Sequence, residues 1–199
     1  MLFRSGSTVV LATGGHITPL ANDTLRERKI SVIRDQLDVD IEALAPRANI
    51  RTVALGGDHG SLAMKAAILK HLREQGRAVD DLGTHSTDPV DYPDTAAAVA
   101  VQVARGEADA GIVIDGAGLG SAIAANKVQG VRAAMCTDRT LARYAREHNG
   151  ANVLSLGATL VSIPTALEIV DVFIGTAMRE PRYIRRLAKL KDLERRSRV

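Results

Sequence analysis

From residue 51 onward, short apolar runs alternate with stretches whose apolar residues recur every three to four positions. Val53-Ala54-Leu55 reads as a buried strand ending in Gly56-Gly57. Ser61 then offers an N-cap to a helix carrying Leu62, Ala66, Leu69 and Leu72 at helical spacing, and Gly76 stops it. Ala78-Val79 leads to a turn around Gly83 and a polar loop through Pro89 and Pro93. An Ala/Val-rich helix is predicted over about 94–105, then an apolar strand, Gly111-Ile112-Val113-Ile114, with Gly116, Gly118 and Gly120 crowding the turn after it. The alternation continues with strands over 131–136 and 153–156 and helices over 137–148 and 164–174. Pro181 opens a last amphipathic helix, with Ile184, Leu187, Leu190 and Leu193 expected inward.

Strands that are apolar throughout and alternate with helices imply a parallel sheet covered on both faces, hence a doubly wound α/β domain of about five strands over 51–199. In such sheets ligands sit beyond the carboxyl ends of strands, which directs attention to Asp58-His59, to 115–121 and to the loop near His148. Residues 1–50 differ and are expected to form a small N-terminal extension. Val9-Val10-Leu11 and 30–33 suggest strands, Thr18-Pro19 opens a helix to about Lys29, and Pro46 and Asn49 mark the junction. There is no internal repeat.

Composition narrows the function classes. The 199 residues are 46% hydrophobic but only 3% aromatic, so the core must be aliphatic and base-stacking platforms are scarce. The net charge of +3 is concentrated near the end, at Arg195, Arg196 and Arg198, where a solvated helix end accounts for it better than nucleic-acid binding. No run approaches the ~18–20 apolar residues of a membrane span, and the start of the chain lacks a secretory signal, so the expected location is the cytoplasm. The single cysteine, Cys136, has no disulfide partner, and no His/Cys/carboxylate cluster has ligand spacing, so neither metal nor cofactor is expected.

The sharpest local feature is Asp115-Gly116-Ala117-Gly118-Leu119-Gly120-Ser121, between a strand and a helix, where backbone amides can converge on an anion. The third glycine comes one residue early for a dinucleotide fingerprint, although Asp138 lies near the distance of a ribose-binding acid. Asp115 reads either as a helix-side cap or as a base aimed into the amide-lined cavity. His148, ending a helix beside Asn149-Gly150, is a C-terminal dipole partner or a catalyst. Arg182 and Arg186 share a helix face, either solvated or a phosphate clamp.

Taken in order, Gly57-Asp58-His59-Gly60 with Lys65, Gly83-Thr84, Asp91-Tyr92-Pro93, the 116–127 loop ending Ala124-Ala125-Asn126-Lys127, Arg146-Glu147-His148-Asn149, Ala151-Asn152-Val153-Leu154 and the 181–186 helix resemble the ribose-5-phosphate isomerase type B family, which includes galactose-6-phosphate isomerase subunits. The resemblance covers about residues 51–190. It implies a Rossmann-like domain and metal-free aldose–ketose isomerisation of a sugar phosphate, with ribose 5-phosphate and ribulose 5-phosphate the expected pair. It also implies a homodimer, with a tetramer as the further option, whose sites combine residues of both subunits. Carried over by position, Asp58 and Tyr92 would contact sugar hydroxyls and His59 would lie near the substrate. Gly116, Gly118, Gly120 and Ser121 would cradle the enediolate. His148 would assist ring opening, Asn149 would hold a hydroxyl, and Arg182 and Arg186 would grip the phosphate.

Four positions depart from that pattern. Asp115 stands where many members have a cysteine base, Ala117 where they have threonine, and Ser121 where other members have a glutamate base; Thr159 also stands where a phosphate-binding arginine is expected. Asp115 is the expected base, with a catalytically impaired or assembly subunit as the alternative. The N-terminal string Ile17-Thr18-Pro19-Leu20-Ala21 is faintly similar to segments attached to bacterial microcompartment enzymes.

Overall fold

The computed structural model describes residues 8–11, 15–34, 44–46, 49–178 and 180–196. The chain divides into two units, residues 1–40 and 41–199. In the first, strands β1 (Thr8–Leu11) and β2 (Ser31–Arg34) pair in parallel and are joined by helix α1 (Pro19–Glu27). The Thr18 side chain caps α1 by accepting from the Ala21 N–H at 3.3 Å, and Pro19 occupies the first turn, as the dipeptide predicts. No residue of α1 is buried, and a groove of about 500 Å³ lies along it, lined by Val9, Leu11, Leu20, Leu25 and Val32 among others.

The second unit is a five-stranded parallel sheet. Its strands are β3 (Thr52–Gly57), β4 (Ala78–Asp81), β5 (Ala110–Asp115), β6 (Ala133–Met135) and β7 (Val153–Gly157), in the order β4-β3-β5-β7-β6. The helices are α2 (Leu62–Glu74), α3 (Tyr92–Ala104), α4 (Leu119–Ala125), α5 (Arg139–Glu147), α6 (Ile163–Gly175) and α7 (Pro181–Arg196). Strand alternation gives the two faces different textures. Val53, Leu55, Ile112, Ile114, Leu154 and Leu156 form a bulky face packed with Ile68, Leu72, Ile169 and Phe173 of α2 and α6. The opposite face offers Ala54, Gly56, Gly111 and Val113 to the Ala/Val helix α3. A Cβ on Gly111 would lie 2.7 Å from Val99 Cγ1 and one on Gly56 2.8 Å from Val99 Cγ2, so small residues there set how closely α3 approaches.

Strand order reverses between β3 and β5, so the switch point, where crossovers leave a crevice, lies between Asp58 and Asp115. Three local expectations are corrected. Ser61 does not cap α2 through its side chain. The helix is entered through a 3₁₀ turn (His59–Ser61), Asp58 caps that turn through Gly60 N–H at 3.0 Å, and Ser61 Oγ donates back to the Asp58 carbonyl at 2.8 Å. Strand β6 is shorter than expected because side-chain amides replace a ladder at its start. Asn126 bonds both the N–H and the C=O of Ala133, each at 2.9 Å, and Asn152 bonds Arg132 N–H and Gly130 C=O. On α7, Leu187 is buried as expected, but Leu190 and Leu193 are 49% and 62% exposed. They line a groove with Val131, Ala133 and Ala151, and Glu194 of the same helix accepts from Gly130 N–H at 2.7 Å.

Candidate active site

At the carboxyl edge, the switch point is built mainly from backbone. Asp115, the last residue of β5, is only 5% exposed. Its Oδ1 accepts from the N–H groups of Ala117, at 2.9 Å, and Gly118, and its Oδ2 from Ser121 N–H at 2.7 Å. Gly118 has φ +75°, a left-handed conformation that glycine adopts without strain, and a Cβ there would lie 2.9 Å from the Leu156 carbonyl carbon. Ser155 Oγ donates to Gly118 C=O at 2.5 Å, and Thr159 donates to Gly116 C=O through Oγ1 (2.7 Å) and N–H (2.9 Å). The loop is therefore tied to β7 from below.

This arrangement bears on the expectation that Gly116, Gly118, Gly120 and Ser121 cradle an enediolate. Three amides of the 116–121 loop already donate to Asp115. A carboxylate directly before a glycine turn is placed to satisfy the orphan donors of that turn and of the helix start, which a cysteine would do poorly. The helix-side cap, left open by the sequence, describes the ground-state geometry. A carboxylate offers about four lone-pair positions, so three bonds leave roughly one, and it belongs to Oδ2.

Other expected residues gather at the same edge. Asp58 N–H donates to Ile114 C=O at 3.1 Å, tying the end of β3 to that of β5. His59 Nδ1 accepts from Val90 N–H at 3.3 Å, which places the proton of the neutral ring on Nε2 and anchors the polar loop before α3. Tyr92, at the start of α3, lies against Gly120: a Cβ on that glycine would come within 2.5 Å of the ring. Lys65, buried, pairs with Asp81 at 2.5 Å, and Asp81 also accepts from Gly83 N–H, which holds the Gly83-Thr84 turn against Gly57.

The remaining expected residues lie elsewhere. Helix α5 starts beside the carboxyl edge at its cap Asp138 and runs antiparallel to the strands, so His148 and Asn149 emerge at the amino end of the sheet. One strand length of five residues, on the order of 15 Å, separates them from the Asp115 loop. There His148 stacks on Tyr144 (centroids 4.5 Å, 17° between planes) and lies tilted against Tyr183 (4.6 Å, 33°). The guanidinium carbons of Arg182 and Arg186 lie 4.8 and 5.4 Å from the centre of the Tyr183 ring, and Arg182 donates to the Tyr183 hydroxyl at 3.0 Å. Asn149 donates to Tyr144 C=O at 3.3 Å. Beneath them Arg146 is fully buried, donating to the Ala151 and Thr176 carbonyls over the face of Phe173. Burial, and then the charge of Arg132, push its pKa down to about 10.

A sequence reading misses the two tyrosine partners. The signal was available: Tyr144 is four residues before His148 and Tyr183 sits between the paired arginines, in a chain with only three tyrosines. All three now belong to one cluster or the other. Cys136 is buried and belongs to the core; burial, and then the charge of Asp138, push its thiol up to about 12, which removes it as a nucleophile near neutral pH. Among the described residues, no three His, Cys, Asp or Glu side chains are grouped to hold a metal, and no helix is long and apolar enough to cross a membrane.

Comparison with known proteins bears on this geometry. The model of a family described as Ribose/Galactose Isomerase matches residues 53–190. The ribose-5-phosphate isomerase B of Escherichia coli is 40% identical over 147 residues, covering 74% of this chain and 99% of that protein. The solved structure of Clostridium thermocellum ribose-5-phosphate isomerase B aligns with a TM-score of 0.72 at 45% identity, covering 73% of this chain and 98% of the other. The type B ribose 5-phosphate isomerase of Trypanosoma brucei aligns with a TM-score of 0.70 at 44% identity, covering 72% and 99%. These matches take in the five-stranded sheet and both side-chain clusters. The chain therefore belongs to the Ribose/Galactose Isomerase family of sugar-phosphate isomerases.

Proposed function

We propose that this protein interconverts ribose 5-phosphate and ribulose 5-phosphate by proton transfer through an enediolate, in the cytoplasm, as a homodimer whose sites each combine the carboxyl-edge cluster of one subunit with the amino-end cluster of its partner. The observation that carries the proposal is the Asp115 carboxylate, buried in a glycine turn at the switch point, with Tyr92 against the same turn. Asp58 and Tyr92 would engage sugar hydroxyls, with His59 close by. His148 would open the sugar ring with Asn149 holding a hydroxyl, and Arg182 and Arg186 would bind the phosphate.

The occupied amides suit a charge relay in time. The carboxylate would take the C2 proton on Oδ2 while the C–H electron pair forms the enediolate. Neutralising Asp115 weakens its hold on the Ala117, Gly118 and Ser121 amides just as the substrate oxygen becomes an oxyanion able to accept from them. The test is turnover of ribose 5-phosphate by the purified chain, beside hexose 6-phosphates. Turnover of a hexose 6-phosphate alone would move the substrate assignment, and binding without turnover of any sugar phosphate would sink the reaction.

A second reading has its own support. Three amides held by Asp115, and Thr159 in place of a phosphate-binding arginine, fit a subunit that keeps the fold and the ligand but has lost efficient chemistry. Under it, ribose 5-phosphate binds and is released unchanged.

A further inference from the structure

We propose that Tyr183 is a positioning residue that organises the amino-end half of the site, holding the ring-opening imidazole and the phosphate-binding guanidiniums as one unit before ligand arrives. The inference rests on the roles proposed above for His148, Arg182 and Arg186. Its own support is geometric. Tyr183 lies on the first turn of α7 and is 8% exposed, whereas the Arg182 side chain over it is largely in solvent. One phenol ring therefore contacts three functional groups: it packs tilted against His148 at 4.6 Å, and both guanidinium carbons lie within the roughly 6 Å over which a cation is drawn to an aromatic ring. Its hydroxyl adds a fourth tie, the 3.0 Å bond from Arg182.

The physical need is clear. Two guanidiniums brought together without an anion repel each other, and each long side chain loses rotamer freedom when it is held. A carboxylate between them would solve the repulsion but would compete with phosphate for the same donors. An aromatic ring attracts both cations and, the one Arg182 N–H on the Tyr183 hydroxyl apart, takes up none of their N–H groups, so the clamp stays assembled and open to an anion. Of the nearby carboxylates, Glu180 is 3.8 Å from Arg182 Nε and Glu147 is 4.0 Å from His148 Nε2, both beyond hydrogen-bonding distance. The ring thus does for the cations what the loop amides do for Asp115, with the opposite polarity.

Three variants of the full chain separate the ring from its hydroxyl and the arginines from the histidine. Calorimetric titration with ribose 5-phosphate and with ribose reads the clamp without requiring turnover, and circular dichroism checks the fold. Tyr183→Phe keeps the ring, so ribose 5-phosphate affinity stays within about threefold of wild type, the loss of one hydrogen bond. Tyr183→Leu keeps apolar bulk but removes the ring, so ribose 5-phosphate affinity falls roughly tenfold while ribose affinity is unchanged. Tyr144→Leu removes the His148 stack and the Arg143 cation over the same ring, on a half-exposed helix face away from Arg182 and Arg186, so it lowers kcat several-fold and leaves ribose 5-phosphate affinity intact. Unchanged phosphate affinity in folded Tyr183→Leu overturns the proposal. So does an equal loss in Tyr183→Phe, which would assign the effect to the hydroxyl, and so does a wild-type chain that binds the two ligands alike. A wild-type chain that prefers ribose 5-phosphate but never turns it over refutes the isomerase reaction instead, while the Phe and Leu titrations still decide on Tyr183.

Discussion

The two ends of the sheet solve opposite problems. At the carboxyl edge a negative charge is buried and backbone amides satisfy it: Asp115 accepts from Ala117, Gly118 and Ser121. At the amino end positive charges stand near the surface and are held by aromatic faces, Arg182 and Arg186 by Tyr183. The first cluster is internally satisfied, so its chemistry must compete with bonds already made. In the second, Arg182 gives one N–H to the Tyr183 hydroxyl and has Glu180 3.8 Å from its Nε, and an anion would be met by the remaining donors. Under the proposed function, neither half is a sugar-phosphate site alone. A single chain keeps them a strand length apart, which is why the dimer is integral to the proposed function.

The hardest test of that comparison is to rebuild one site from two broken chains. Asp115→Asn replaces one carboxylate oxygen by an NH₂ group that must face a backbone N–H, and it removes the proton acceptor, so kcat should fall ~10²-fold or more. His148→Ala should fall comparably. After subunit exchange at equal amounts, half the dimers carry one intact site of two, so activity should return to about a quarter of wild type. Mixtures that demonstrably exchange subunits yet stay inactive would place both residues in the same chain's site and dissolve the division between the two ends.

A smaller effect separates the ends by ligand chemistry. Arg186→Ala should weaken ribose 5-phosphate binding roughly 10- to 100-fold, the loss of one charge-assisted bond, and leave ribose unaffected. Asp58→Ala at the other end should weaken both ligands alike, by a few-fold. If Arg186→Ala binds ribose 5-phosphate as tightly as the wild-type chain, the basic helix face is only solvated and the phosphate clamp is wrong.

The fold was legible because hydrophobic period and glycine punctuation both report backbone geometry, which is local. The strand-helix alternation located four of the five strands of the second unit, and marked β4 only as Ala78-Val79 leading to a turn; β6 was overextended because two asparagine side chains replace its ladder. The amino end of the site was half legible: the arginine pair at i and i+4 was visible, the tyrosine between them was not, because an aromatic neighbour reads as core until its partners are known. What Asp115 does was least legible. The residue stood out by position, but which donors reach its two oxygens depends on a left-handed Gly118 and on β7 packing beneath the loop, contacts that connect residues some forty apart. The exposure of Leu190 and Leu193 was hidden for a related reason: a heptad-like pattern says which face is apolar, not what covers it.

Cys136 bounds the carboxyl-edge cluster from the other side, since it is the one thiol that could rival Asp115. With its pKa pushed up to about 12, the folded thiol stays protonated over a range in which the unfolded thiol, at about 9, ionises. The associated stability is therefore fully present below pH 9 and is lost as the pH rises from 9 toward about 12. Thiol reagents at pH 8 should leave the native protein unmodified and react once it is denatured, and Cys136→Ala should keep turnover within about threefold of wild type. Rapid modification of the native chain with matching loss of activity would return the cysteine to the site.

The smallest effect expected is from the first unit. Both clusters and, Ile50 apart, both packed faces of the sheet belong to residues after 50, so removing residues 1–40 should change kcat and KM by no more than about twofold, a change too small to implicate any contact with the transition state. Where the cut falls should matter more than that it is made. Ile50 and Leu44 are buried in the second unit, where Arg77 bonds the Ile50 carbonyl and Arg132 the Leu44 carbonyl. Each such aliphatic side chain contributes about 1.5–3 kcal/mol by burial. A chain starting at residue 51 should therefore unfold on the order of 10 °C below one starting at residue 41, with the same site chemistry while folded. Thermal unfolding of the two truncations beside the full chain measures the difference. Equal melting temperatures would show that 41–50 adds nothing to the second unit. A folded chain starting at 41 that has lost turnover would make the N-terminal unit part of the site, and the contrast between the two ends of the sheet would then need a third member.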